Sequence, residues 1–244
     1  MKIPIPKIIF GAPIAGARER AKEMYNKNTE QEQEENPSPP RDGFIYVPTI
    51  NLYVAKQKEL FDKNWDEQRE ILHERKDRMP TPLEYVAFLN ELRKLNTDES
   101  REILDEIYAV RSPWRSEYLD AKFKVTKKKV ITMSYYTFEG DKIVQKSVDL
   151  QNILRENKIP GISLDSWLQD NEYGIPKSSI ASGDLCYWAP QNGRVAGFGA
   201  DSGGAGFGCG GVPSSRVASL GVRAVRRFGV EDADGINSKG GNSK

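Results

Sequence analysis

Histidine and cysteine are almost missing from this sequence of 244 residues: His73 stands alone, and Cys186 and Cys209 are the only thiols. Two cysteines are too few for a disulfide framework or a four-thiolate zinc site. One histidine excludes His-rich metal sites and leaves imidazole acid–base chemistry to a single residue. Its neighbours, Ile71-Leu72-His73-Glu74-Arg75, place it on the polar side of an amphipathic helix, without convergent catalytic partners. An excess of one charge is missing too: 36 Lys and Arg face 35 Asp and Glu. That balance argues against direct nucleic-acid binding. No apolar run approaches the roughly 18 residues that cross a bilayer, so no membrane insertion is expected. Prolines and Lys7 interrupt the apolar N-terminus, Met1 to Lys7, so a secretion signal is not expected either.

What is present falls into distinct stretches. Residues 1–43 read as an N-terminal segment and a charged, Pro-rich linker, with Pro37-Ser38-Pro39-Pro40 at its end, too polar to build a core. Residues 228–244 read as a disordered Gly/Asn/Ser/Lys tail. Between them lies one domain, 44–227. Its first half is helical in pattern. Asn64-Trp65-Asp66-Glu67 and Thr81-Pro82-Leu83-Glu84 are capping boxes, the second with proline at the first helical position. The first predicts a helix to about Lys76, with Trp65, Ile71 and Leu72 available for the core. In the second, Val86, Leu89 and Leu92 keep helical spacing, flanked by Phe88 and Leu95. A third helix after Thr97 carries Ile103, Leu104, Ile107 and Val110. Later come a hairpin over Val130–Val148 turning at Glu139-Gly140-Asp141, and a helical turn or two over Leu150–Asn157. Short strands follow at Leu185–Trp188, Val195–Ser202, Ala205–Cys209 and Leu220–Val225. Helices first and an antiparallel sheet late make an α+β domain.

Glycine marks the unusual segment: nine of the 21 glycines fall between Gly193 and Gly211. Val195, Ala196, Phe198, Ala200, Ser202, Ala205, Phe207 and Cys209 alternate with Gly197, Gly199, Asp201, Gly203, Gly204, Gly206, Gly208, Gly210 and Gly211. In strands this packs one face and leaves the other nearly bare. Each strand glycine costs roughly 0.5–1 kcal/mol against alanine, so stability alone would not select the pattern. Gly206 to Gly211 matches a dinucleotide fingerprint formally. However, Val212-Pro213-Ser214-Ser215 opens no helix to face a pyrophosphate, so no cofactor is assigned. Lys, Glu, Gln, Met and Trp make up 56 of 244 residues but are absent from 192–230, a stretch of 39 residues. Proportion alone predicts about nine of them there.

Arg194-Val195-Ala196-x-Phe198-x-Ala200-x-Ser202, Ala205-x-Phe207-x-Cys209, Pro213 and Leu220 to Arg227 resemble the C-terminal variable region of diversity-generating retroelement target proteins. The likeness is greatest to their archaeal-virus and small-genome microbial branch. In that family an error-prone reverse transcriptase randomises adenines of a template repeat, usually in Asn codons ending in a pyrimidine. Such codons cannot become Lys, Glu, Gln, Met or Trp, while glycine is accessible. Upstream, Asn64 to Glu67 and Arg78 to Tyr85 are similar to the helix starts of C-type-lectin-like domains related to formylglycine-generating enzymes. The likeness covers roughly 44–227, with the variable region at about 193–227.

The resemblance implies a C-type-lectin-like fold, with helices in the N-terminal half and a twisted antiparallel sheet with long loops in the C-terminal half. It implies a binding surface made by Gly197, Gly199, Asp201, Gly203, Gly204, Gly206, Gly208, Gly210, Gly211, Val212, Ser214, Ser215, Arg216 and Val217. Phe198, Phe207 and Leu220 belong to the core, and Trp188 either to the core or to the site floor. The enzymes' closely spaced cysteine pair is missing, as Cys186 and Cys209 stand 23 positions apart. The expectation is therefore a non-enzymatic recognition protein, with no catalytic residue, metal ligand or cofactor. Its partner is an unnamed protein or surface ligand, met at a virion or a cell surface. The alternatives are a catalytic relative of the formylglycine-generating enzymes working through Cys186 or Cys209, and a structural assembly subunit. On the binding reading, recognition rests on backbone N–H and C=O groups and on shape, and Tyr or Asn at Gly199 or Gly206 leaves the melting temperature nearly unchanged.

Overall fold

A computed structural model describes residues 42–110 and 112–227. The expected linker over 1–43, apart from its last two residues, and the expected tail over 228–244 lie outside the described residues. In chain order the elements are β1 (Phe44–Val47), a short 3-10 turn, β2 (Leu52–Ala55), α1 (Trp65–Glu74), α2 (Pro82–Leu95) and α3 (Asp98–Tyr108). Then come β3 (Arg115–Val125), β4 (Ile131–Glu139), β5 (Lys142–Leu150), β6 (Lys158–Ile162) and α4 (Leu164–Gln169). The chain closes with β7 (Asn171–Glu172), β8 (Ile175–Pro176), β9 (Leu185–Trp188), β10 (Val195–Asp201), β11 (Gly204–Gly211), β12 (Leu220–Gly221) and β13 (Val225–Arg227). The fold is mixed α+β.

Both capping boxes form. Asn64 accepts from the Glu67 amide and Thr81 from the Glu84 amide, and each glutamate returns the bond to its cap. Each cap satisfies N–H groups that a helix start otherwise leaves orphaned. Helix α1 buries Trp65, Gln68 and Leu72, whereas Ile71 is half-buried. Helix α2 buries Tyr85, Val86, Phe88, Leu89 and Leu92 and ends at Asn96 in the left-handed region, leaving Leu95 exposed. Helix α3 buries Ile103 and Ile107, but Val110 lies beyond its end and is exposed.

The main sheet runs β5-β4-β3-β10-β11-β9-β6, with β12 added beside β3. Most pairs are antiparallel, but β11 with β9 and β12 with β3 are parallel. A second sheet, β1-β2-β13, joins the first strands of the domain to its last. The hairpin turns where expected, at Gly140-Asp141. Two expectations need correction, and one strand had no expectation. The stretch 150–157 is not helical: Ile153 and Leu154 are buried and use their backbone in pairing with Lys177 and Pro176. The strand expected over 220–225 is divided between the two sheets, with Val222 paired to Glu59 as it crosses. The central strand β3 was not anticipated at all, because Glu117, Asp120, Lys122 and Lys124 hide its period. Two of those charges are buried with partners. Glu117 meets Arg223 and the Tyr85 hydroxyl, and Asp120 accepts from the Tyr136 amide.

Phe198 and Phe207 stand on the core face of β10 and β11, both fully buried. Trp167 of α4 stacks against both, at 6.0 Å from Phe198 and 4.8 Å from Phe207. Tyr187 stacks on Phe207 at 6.2 Å, and Tyr85 lies 5.5 Å from Phe198. Burying the two phenylalanines contributes roughly 3–6 kcal/mol together. The four paired strand glycines on the opposite face, Gly197, Gly199, Gly206 and Gly208, cost about 2–4 kcal/mol together. The aromatic core is thus large enough to offset the bare face.

Candidate functional site

The glycine alternation is resolved by strand register. Gly197 pairs with Gly208 and Gly199 with Gly206, so all four open onto the face opposite Phe198 and Phe207. Beyond them, β3 contributes Tyr118 beside Gly197 and Ser116 beside Gly199. On the other side β9 contributes Trp188 beside Gly208 and Cys186 beside Gly206. Four strands therefore present two rows, each with glycines in the middle and side chains at both ends. The result is a trough of about 390 Å³, walled by Trp188 on one flank and by Ser116 and Tyr118 on the other.

Of the expected site residues, Gly197, Gly199, Gly206 and Gly208 form this floor. Asp201, Gly204, Gly210, Gly211, Val212 and Ser215 also line the trough. Gly203, Ser214, Arg216 and Val217 do not. Gly203 sits at the tip of the β10–β11 hairpin and donates its amide to Asp201 Oδ1 at 2.6 Å. Ser214 lies exposed in the turn between Val212 and Ser215. Arg216 is drawn to α1, where it pairs with Glu67 at 2.7 Å. Val217 packs against the cluster holding Trp65 and Leu72. The lining also includes Trp114, Arg115, Ser116, Tyr118 and Gln191, which come from strands and loops whose pattern did not mark them, and Ala196, Ala200 and Leu220, which were expected to pack behind the surface. Tyr118 donates its hydroxyl to the Val212 carbonyl at 2.7 Å and so holds the wall in place.

The glycines are not equally open. A Cβ on Gly199 would fall 2.7 Å from the Arg115 carbonyl oxygen and 2.8 Å from the Ser116 side chain. One on Gly211 would fall 2.9 Å from the Val195 carbonyl oxygen. These contacts are largely with backbone, which cannot swing aside. On Gly206 the obstacle is the Trp188 ring, whose Cζ3 stands 2.5 Å from the added carbon, with Cys186 at 3.1 Å. On Gly208 and Gly210 the nearest atoms belong to the Trp188 and Gln191 side chains, at 3.5 and 3.2 Å. The indole of Trp188 thus lies across Gly206 and Gly208, half-buried. It is a site residue rather than a core one. The expected equal tolerance at Gly199 and Gly206 is corrected accordingly: Gly199 is closed by backbone, Gly206 by a movable ring.

Backbone recognition is corrected as well. Strands β10 and β11 are interior, flanked by β3 and β9, so over 197–200 and 206–208 their N–H and C=O groups lie in the sheet plane and are used in the ladder. The floor offers Cα–H groups and flat peptide faces instead. Elsewhere, the two cysteines are buried and free. Cys186 shares the glycine face by register with Gly206, whereas Cys209 shares the core face with Phe207. Burial pushes the Cys209 thiol well above its ordinary range. His73 packs edge-on to Tyr136 at 4.8 Å. Burial, reinforced by the positive charge of Arg69 and Arg78, lowers its pKa to about 4.

Among the described residues, no three His, Cys, Asp or Glu side chains are grouped to hold a metal ion. No described helix is long and apolar enough to cross a membrane. No family model, curated protein or solved structure matches this chain.

Proposed function

We propose that this chain is a recognition protein whose glycine-floored trough is a ligand-binding surface diversified by a retroelement, on a C-type-lectin-like scaffold. One observation carries the reading. Ten of the fourteen residues expected to vary line a single trough, while Phe198, Phe207 and Cys209, which alternate with them in the strands, pack the core behind it and only the small Ala196 and Ala200 reach the lining. A sheet separates the two sets because adjacent residues of a strand point to opposite faces. Such a surface changes its side chains most freely at Gly208 and Gly210, where the nearest atoms belong to side chains, and least freely at Gly199 and Gly211, where backbone stands closest. The five residue types missing from 192–230 agree with adenine-directed change in pyrimidine-ending Asn codons.

The reading is of a binder rather than an enzyme. Cys186 and Cys209 face opposite sides of the sheet, so they do not make the paired thiols that a formylglycine-generating relative would use. Sequencing the gene neighbourhood tests the proposal. The expected result is a reverse-transcriptase gene and a near-repeat of the 3′ coding region, with adenines at the codons for Gly197, Gly199, Gly206 and Gly208. A neighbourhood with neither, or codons at these positions that end in purines, would refute it.

A further inference from the structure

The order of side chains along the trough narrows what it accepts, an inference that rests on the binding reading above. Beyond the row of Gly199 and Gly206, the hairpin pairs Asp201 with Gly204. Trp114, immediately before β3, lines this end of the trough and is exposed. Asp184, immediately before β9, is exposed, and its carbonyl lies 4.0 Å from a Cβ placed on Gly204. Asp201 points its carboxylate along the hairpin, oriented by the bond from the Gly203 amide. The trough thus runs from an indole in contact with the glycine floor to an acidic end beside a second indole. Arg115 and Ala200, paired across the strands, line the trough too, and the Arg115 carbonyl oxygen lies 2.7 Å from a Cβ placed on Gly199.

We infer that the trough holds an arginine side chain of a partner protein. Its apolar stem lies over the glycines against Trp188, and its guanidinium sits between Trp114 and the Asp201 carboxylate. The fit is chemical and metric. A guanidinium is planar and weakly hydrated, stacks on aromatic faces and bonds a carboxylate with two parallel N–H groups. Its stem covers apolar surface, here the Cα–H floor beside the Trp188 ring. From the Gly199 row to the Asp201 row is two residues of strand, about 7 Å, the reach of an extended arginine side chain. A lysine ammonium, compact and strongly hydrated, satisfies the carboxylate but gains less from the flat walls.

The probe is N-acetyl-arginine methylamide, titrated into the full chain while the tryptophan indole N–H signals are followed by NMR. Trp65 and Trp167 are buried and donate to the Leu119 and Gly174 carbonyls, so they serve as internal references. The expected result is a saturable shift of the Trp114 and Trp188 signals alone, with affinity on the order of millimolar. Asp201→Asn, which keeps an acceptor for the Gly203 amide, should weaken binding about fivefold to tenfold. Trp188→Ala should weaken it about as much, and the lysine analogue should bind at least about threefold more weakly. Equal binding of the two analogues, or no effect of Asp201→Asn, overturns the guanidinium assignment. Shifts produced by the tyrosine or glutamate analogue but not by arginine also overturn it, while leaving the trough a binding surface. If none of these analogues moves either indole, the inference fails. The gene-neighbourhood result then decides separately whether the recognition reading fails with it.

Discussion

Replacing Gly199 and Gly208 by alanine, one at a time, sets apart two glycines on the same sheet face. In both, alanine removes the entropy penalty of a strand glycine, a gain of roughly 0.5–1 kcal/mol. At Gly208 the new methyl meets Trp188 at 3.5 Å, an ordinary contact, so the gain stands. At Gly199 it meets the Arg115 carbonyl oxygen at 2.7 Å and Ser116 at 2.8 Å. Overpacking of this kind costs typically 1–3 kcal/mol. The net expectation is a loss of about 1–2 kcal/mol for Gly199→Ala and a gain of up to about 1 kcal/mol for Gly208→Ala. In a domain of this size each kcal/mol moves the melting temperature by about 2–4 °C. The assay is urea unfolding followed by tryptophan fluorescence, with thermal melts alongside. Adding Ser116→Gly to Gly199→Ala should recover part of the loss, because it removes the side chain but not the carbonyl. Equal shifts for the two single variants would refute the argument that backbone approach, rather than a free choice, keeps glycine at 199.

Three further outcomes are expected. Arg223 is buried between Glu106, at 2.8 Å, and Glu117, which it touches at 2.9 Å in ionic contact without hydrogen-bond alignment. Arg223→Ala leaves Glu117 buried and uncompensated, and should cost about 3–5 kcal/mol in denaturant unfolding. Burial raises the Asp120 pKa to about 7, against the opposing bond from the Tyr136 amide and the charge of Arg78. The folded state therefore holds a proton that the unfolded state gives up near pH 4. The stability this supplies is complete below about pH 4 and is lost as pH rises through 7. Asp120→Asn should accordingly lose less stability than the parent between pH 5 and 8, measured by unfolding midpoints, and parallel pH profiles would contradict it. Cys186 and Cys209, buried on opposite faces, should resist a thiol reagent in the native protein and react together on unfolding; rapid labelling of Cys209 would contradict its burial.

Helix starts were legible because capping is local. Asn64 with Glu67, and Thr81 with Glu84, satisfy orphan amides within four residues, and no distant partner is needed. The two faces of β10 and β11 were legible for the same reason, since alternation is a property of a single strand. What was not legible depended on partners far along the chain. Strand β3 carries Glu117 and Asp120 in its buried middle, a pattern that reads as surface until Arg223 and the Tyr136 amide are brought to it. Buried charges are tolerated only with such partners. The segment 150–157 looked helical by composition, but its backbone bonds go to Pro176 and Lys177, more than twenty residues on.

The sequence by itself determined which face of the glycine strands is bare, because side-chain direction in a strand follows from position alone. Only the tertiary structure decided what stands around that bare face. By placing β10 and β11 inside the sheet, it committed the N–H and C=O groups of 197–200 and 206–208 to the ladder. It set Trp188 against two glycines, and brought Ser116 and Tyr118 from a strand some eighty residues earlier and Trp114 from just before it. It also closed Gly199 against the Arg115 carbonyl oxygen. These are consequences of strand order and register, long-range pairings that no local pattern specifies, and they make a row of small residues into a trough with walls and an acidic end.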